Sequence, residues 1–156
     1  MQTVVWSDSL ELGHERIDAE HRLLMDIAAD IEVIVDDGGN LAVLQSLYQE
    51  FHRLLQIHCA YEEGLLRSLP HSVFGAQVDS HCQGHARLIT QARSVADGSL
   101  PEGYDTHRVF ANAYFQLMHD LLIDDAELIG ALIREGRHAP RPMPGHSSSG
   151  YGHPPV

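Results

Sequence analysis

Residues 44–66 read LQSLYQEFHRLLQIHCAYEEGLL, and their spacing decides the fold. Leu44, Leu47, Phe51, Leu55 and Leu65 fall on one face of an α-helix, because apolar residues recurring every three or four positions follow the helical period. The same stripe carries His58 and Glu62, four residues apart and therefore stacked one turn above the other. An imidazole and a carboxylate thus stand in the middle of a face built for burial.

The surrounding chain repeats this design. Upstream, a helix over Arg16–Val35 carries Ile17, Leu24, Met25, Ala28, Ile31 and Val35 inward, and the run Asp36-Asp37-Gly38-Gly39-Asn40 ends it. The quoted helix spans Leu41–Leu69, stopped by Pro70. A third helix over Ala76–Ala96 turns Val78, Leu88, Ala92 and Val95 inward, and a fourth over Asp105–Arg134 does so with Phe110, Ala113, Leu117, Leu121, Leu128 and Leu132. Ahead of the first helix, residues 1–15 form an extended arm with Trp6, Leu10 and Leu12, broken at Gly13. Four long amphipathic helices with modest links predict an all-α chain folded as an up-down-up-down four-helix bundle. Residues 1–136 make this single domain, and the Pro/Gly/Ser/His-rich residues 137–156 are expected to be a disordered tail.

Composition narrows the function. The chain has 22 acidic against 10 basic residues, a formal net charge of -12, which repels nucleic acid and anionic membrane and excludes both as partners. No segment has the ~18 consecutive apolar residues of a membrane span, and Met1–Leu12 lacks a basic leader with an apolar core, so a cytoplasmic location is expected. Two cysteines, Cys59 and Cys82, are too few for a secreted disulfide scaffold. Histidine is the unusual residue: there are 12.

Several of these histidines stand inside apolar stripes. His21 lies between Ile17 and Leu24, His58 and Glu62 between Leu55 and Leu65, and His81 and His85, four apart, on the face of Val78 and Leu88. One such histidine is ordinarily a satisfied core residue. Four histidines and a glutamate converging from three helices would cost several kcal/mol to bury without a strong partner. A metal removes that cost, since imidazole and carboxylate are its ligands and the facing helices of a bundle are where such sites are built.

The segments carrying these residues resemble bacterial hemerythrins. Trp6 through Leu12-Gly13 to Ile17-Asp18-Ala19-Glu20-His21 is similar to that family's start, His58-Cys59-Ala60-Tyr61-Glu62-Glu63 to its second signature, and His81-Cys82-Gln83-Gly84-His85 to its third. The likeness runs over about Val4–Ile133. It implies two non-haem irons joined by an oxo or hydroxo bridge, held by five histidines, one glutamate and one aspartate, both carboxylates bridging. Carried over, His21 and His58 hold the iron with the open position, His81 and His85 hold the other, and Glu62 bridges.

The fourth helix departs from the family pattern, which has a histidine and, five residues on, an aspartate. His119 and Asp124 have that spacing, but at about 100° per residue the face midway between them carries Gln116, Asp120 and Glu127, a solvent face. Asp120 and Asp125 have the same interval and enclose Leu117, Leu121 and Leu128, a core stripe. Helical phase therefore favours Asp125 as the bridging aspartate. Either Asp120 ligates in place of histidine, or a bulge of the kind found at functional sites lets His119 reach inward, or the third ligand of that iron is missing or water. Two further departures are the stretch from Glu62 to His81, a helical turn longer than in the family, and the cysteines directly after His58 and His81. A buried small hydrophobe is the ordinary reading of such a cysteine, a redox role the sharper one.

The function this implies is reversible dioxygen binding at a carboxylate-bridged di-iron centre, for carriage, storage or delivery to an unidentified protein, by a monomer or weak oligomer and not an enzyme. An oxygen or redox sensor is the alternative, and a di-iron protein acting on peroxide or nitric oxide the third.

Overall fold

Polar groups at the helix starts set the element boundaries. Asn40 and Asp105 take extended backbone and accept a hydrogen bond from the N–H two residues on, those of Ala42 and His107, satisfying donors that a helix start leaves free. Before the first helix, Asp18 reaches back to accept the N–H groups of Leu12 and Gly13 at 2.7 and 3.1 Å. Gly13 has φ of +87°, which an L side chain rarely adopts. The arm is thereby turned along the helices, with Trp6 and Leu10 against one apolar cluster and Leu12 against another.

The computed structural model describes residues 4–38, 40–99, 103 and 105–137. Among these the chain is all-helical. After a short 3-10 turn at Asp8–Leu10 come α1 (Glu15–Asp36), α2 (Leu41–Leu66), α3 (His71–Ala96), α4 (Thr106–His119) and α5 (Asp125–Arg134). A π turn, Asp120–Asp124, joins α4 and α5 into one continuous fourth helix with right-handed backbone throughout. Two boundaries differ from the sequence expectation. α2 stops at Leu66 rather than Leu69, and α3 begins at His71 rather than near Ala76. The reason is Pro70: its φ of -60° is already helical and its carbonyl accepts from Val73 and Phe74, so it starts a helix as readily as it stops one. Of the tail expected over residues 137–156, all but Arg137 lies outside the described residues.

Each helix packs on its neighbour in the chain, and α4 packs back on α1. The apolar interior is divided in two. One cluster holds Leu24, Leu55, Leu88, Leu117 and Leu121, and the other Ile17, Leu65, Val78, Leu128 and Leu132. Every helix sends buried polar residues between the two: His21, then His58 and Glu62, then His81 and His85, then Asp120 and Asp125. Following the chain, α1 passes from the second cluster to the first, α2 returns, α3 passes back, and the fourth helix returns again.

The phase of the fourth helix can be tested on two adjacent leucines. Leu121 is 4 % exposed and Leu122 48 %. Leu121→Ala should cost ~2–5 kcal/mol, and Leu122→Ala no more than about 0.5 kcal/mol, in chemical denaturation of the metal-free chain. Equal costs would mean that the helix is rotated from the phase described.

Candidate metal centre

Within the polar layer, donor atoms gather into two buried groups that share one residue. Glu62, His81, His85 and Asp125 form one, and His21, His58 and Asp125 the other, with the donor atoms of each group within 4.8 Å of one another. Atoms held about 2.1 Å from a common ion stand roughly 3–4 Å apart, so this spacing suits coordination. Asp125 divides its carboxylate: Oδ2 lies 3.0 Å from His21 Nε2 and Oδ1 3.3 Å from His81 Nε2. Glu62 Oε2 lies 3.2, 3.3 and 3.5 Å from the Nε2 atoms of His81, His85 and His58. Four helical segments thus send ligand-type side chains to one small volume.

Hydrogen bonding among these groups, such as that between His81 Nε2 and Glu62 Oε2 at 3.2 Å, leaves many of their atoms unsatisfied. Both ring nitrogens of His21, Oε1 of Glu62, Nδ1 of His81, Nε2 of His85 and both oxygens of Asp125 are buried without a hydrogen-bond partner. Native interiors pair nearly all such atoms, because each one left bare costs free energy. A metal ion is the partner this donor set fits: imidazole nitrogen and carboxylate oxygen, arranged around a common centre.

The electrostatics agree with that fit. Burial pushes the His21 imidazole down to about 4, which leaves it neutral with a lone pair to donate. Burial works against charge on Glu62 too, but the adjacent His81 and His85 imidazoles and the charges of His58 and His81 outweigh it and hold the carboxyl well below its usual range. Asp125 is pushed well above its usual range by burial and by the neighbouring Glu62 charge. For His81 burial favours the neutral ring, yet the Asp120 and Glu62 carboxylates at its two nitrogens overcome this and carry it up to about 11. His85 is raised as well, burial being outweighed chiefly by Glu62. Without a metal, the carboxylates hold protons on His81 and His85 as a substitute cation.

Two carboxylates not anticipated from the sequence support the ligand rings from outside. Glu20 Oε2 lies 3.3 Å from His58 Nδ1, and Glu63 Oε1 lies 3.2 Å from His85 Nδ1. Such partners fix a ring's tautomer and aim its other nitrogen at the metal. Each is backed by an arginine: Arg16 Nε reaches Glu20 at 2.8 Å while its guanidinium stacks 3.6 Å from the Tyr61 ring centroid, and Arg67 reaches Glu63 at 2.9 Å. The only sequence signal is an acid adjacent to a ligand, which a solvated face also produces.

The fourth helix places its candidates by means of the π turn. The Asp125 N–H bonds to the carbonyl of Asp120, five residues earlier. On a regular helix residues five apart point about 140° away from each other; the widened turn brings both aspartates inward. Asp125 is 1 % exposed and belongs to both groups. Asp120 is buried, with Oδ1 3.4 Å from His81 Nδ1 and Oδ2 3.7 Å from His85 Nε2. The bulge does not carry His119 inward. Its side chain is 60 % exposed and meets Asp124 at 3.4 Å, and Asp124 itself is 33 % exposed at the rim. The extra residue in the turn is absorbed after His119, so the gain in rotation goes to Asp120 and Asp125. Both cysteines are free. Burial raises the Cys59 and Cys82 thiols, which keeps them protonated and unreactive.

Asp125→Asn should remove most of the metal bound by the loaded protein, whereas Asp124→Ala and His119→Ala should leave the content unchanged, measured by elemental analysis. Loss through Asp124 with retention through Asp125 would reverse the assignment. Binding should also expel protons at neutral pH. His81 holds its proton up to about 11 in the metal-free chain and must give it up to ligate, so apparent affinity should rise with pH. Calorimetric titrations giving the same heat in buffers of different ionisation enthalpy would contradict this. Compared with family models, with curated proteins and with solved structures, the chain has no match in any of the three.

Proposed function

We propose that this chain binds dioxygen reversibly at a non-haem di-iron centre, as the resemblance of its motifs to bacterial hemerythrins implies. The observation that carries the proposal is Asp125, whose two oxygens face His21 on one side and His81 on the other. A carboxylate so divided suits a pair of ions, one in each group, with Glu62 as a second bridge. The alternating passage of the helices between the two apolar clusters supports an up-down-up-down bundle as the scaffold.

Ferrous ions in these groups would supply the electrons for dioxygen capture. The protein's own contribution is to orient and to shelter. His21 and His58 offer two imidazoles on their side, and His81 and His85 two on theirs, with Glu20 and Glu63 holding two of those rings by their outer nitrogens. The carboxylates tolerate ferric as well as ferrous iron, since hard anionic oxygen suits both. Fully buried Ile17, Leu24 and Leu55 above and below the layer keep water away and slow irreversible oxidation. The imidazole-rich donor set favours binding over oxidation of a substrate, because di-iron oxidases are built with more carboxylates.

One observation favours a second reading. Asp120 brings a third carboxylate beside His81 and His85, and an added anionic oxygen stabilises the ferric state, which suits a protein directed at peroxide or nitric oxide. Anaerobically reduced, iron-loaded protein decides between the two. A carrier shows an absorption band that appears in air, vanishes under vacuum and returns on cycling, with two irons per chain. Immediate oxidation that vacuum does not reverse gives the second reading, and Asp120→His should then restore cycling. His58→Ala should lower iron content in either case; full loading in that variant would refute the site.

A further inference from the structure

A third group of donor atoms, sharing His81 with the first, lies at the π turn: His81, Asp120 and Asp124, again within 4.8 Å of one another. It differs from the other carboxylates around the centre in three respects. Glu20 and Glu63 are each neutralised by an arginine, whereas among the described residues no arginine or lysine pairs with Asp120 or Asp124. Glu20 and Glu63 hydrogen-bond the rings they support, whereas His81 Nδ1, buried with its side chain 1 % exposed, has no hydrogen-bond partner although Asp120 Oδ1 is 3.4 Å and Asp124 Oδ2 4.0 Å away. And this group opens outward, through half-exposed Asp124 to exposed His119, 3.4 Å further on.

We propose that His119, Asp124 and Asp120 form a loading port through which a divalent cation passes from solvent to the buried centre. The proposal rests on reading the two buried groups as the metal centre. Donors are spaced along the whole path: His119 Nδ1 to Asp124 Oδ2 at 3.4 Å, Asp124 Oδ2 to His81 Nδ1 at 4.0 Å, and Asp120 Oδ2 to His85 Nε2 at 3.7 Å, the same nitrogen that lies 3.3 Å from Glu62 Oε2. A cation moving along it trades water for protein donors one at a time, and so never stands bare in an apolar interior. His81 also makes the port a place of passage. Once an incoming cation displaces its extra proton, the imidazole has one lone pair, so the ring serves the port through Nδ1 or the centre through Nε2, not both together. Once the centre is filled, the port has lost its buried ligand and releases what it holds.

The experiment follows the rate and the extent of loading separately. Metal-free full-length protein is mixed anaerobically with cobalt(II) in a stopped-flow instrument, loading is read from the cobalt absorption, and final content from elemental analysis. Asp124→Asn and His119→Ala should each slow loading, together by roughly tenfold, the lower end of what charge-focused association contributes. Final content should stay at the wild-type value. Asp30→Asn, which removes an equal charge from an exposed position on α1, should load at the wild-type rate. If the port variants load as fast as wild type, or if Asp30→Asn slows loading equally, the port is wrong and the buried centre stands. If Asp124→Asn lowers final content, Asp124 is a ligand of the centre and the port is again wrong. Wild-type protein that takes up no cobalt or iron overturns both readings.

Discussion

The molecule is organised around the cost of burying ionisable groups. A layer of four imidazoles and three carboxylates crosses the interior between two apolar clusters. Apolar packing above and below excludes the water that would otherwise solvate it, and several of its atoms have no hydrogen-bond partner. The layer therefore needs cations. In the metal-free chain protons on His81 and His85 serve, at a cost in unpaired atoms. A metal serves better, because it accepts lone pairs from several helices at once. A metal held there would crosslink elements far apart in sequence and so tie metal affinity to folding stability.

The π turn is the second organising feature and follows from the first. The fourth helix must bury Leu117, Leu121, Leu128 and Leu132 while presenting Asp120 and Asp125 to the layer. A regular helix cannot hold residues five apart on one face; a turn with one additional residue can. The result is asymmetric. One side of the layer has His21 and His58, the other His81, His85 and an additional carboxylate, Asp120. The asymmetry extends outward: Glu20 and Glu63 are each paired with an arginine, whereas among the described residues no arginine or lysine pairs with Asp120 or Asp124.

The cysteines illustrate how position alone can mislead. Cys59 and Cys82 each follow a ligand-type histidine directly, yet neighbours on a helix point about 100° apart. Cys59 is buried and Cys82 half-buried, and both thiols are pushed upward by burial. They pack as small apolar side chains beside the layer. The acidic composition is a surface property, and among the described residues no helix is long and apolar enough to cross a membrane.

What was legible in the sequence was whatever depends on helical period. The four apolar stripes, the inward direction of His21, His58, Glu62, His81 and His85, and the phase that turns Asp125 rather than Asp124 inward all follow from residue spacing, because one helix turn repeats every 3.6 residues. Breaks marked by Gly, Asp and Asn were legible for the same local reason. Tertiary structure alone decided the rest. Pro70 is compatible with ending one helix or starting the next, and packing chose the latter. A bulge in the fourth helix was readable as a possibility, but whether its extra residue rotates His119 or Asp120 inward depends on which face the other helices bury. Glu20 and Glu63 acquire their roles only across helix interfaces, since an acid beside a ligand is ambiguous until the opposing imidazole is in place. Spacing determines which way a side chain points from its own helix; what it points at belongs to the packing of the whole chain.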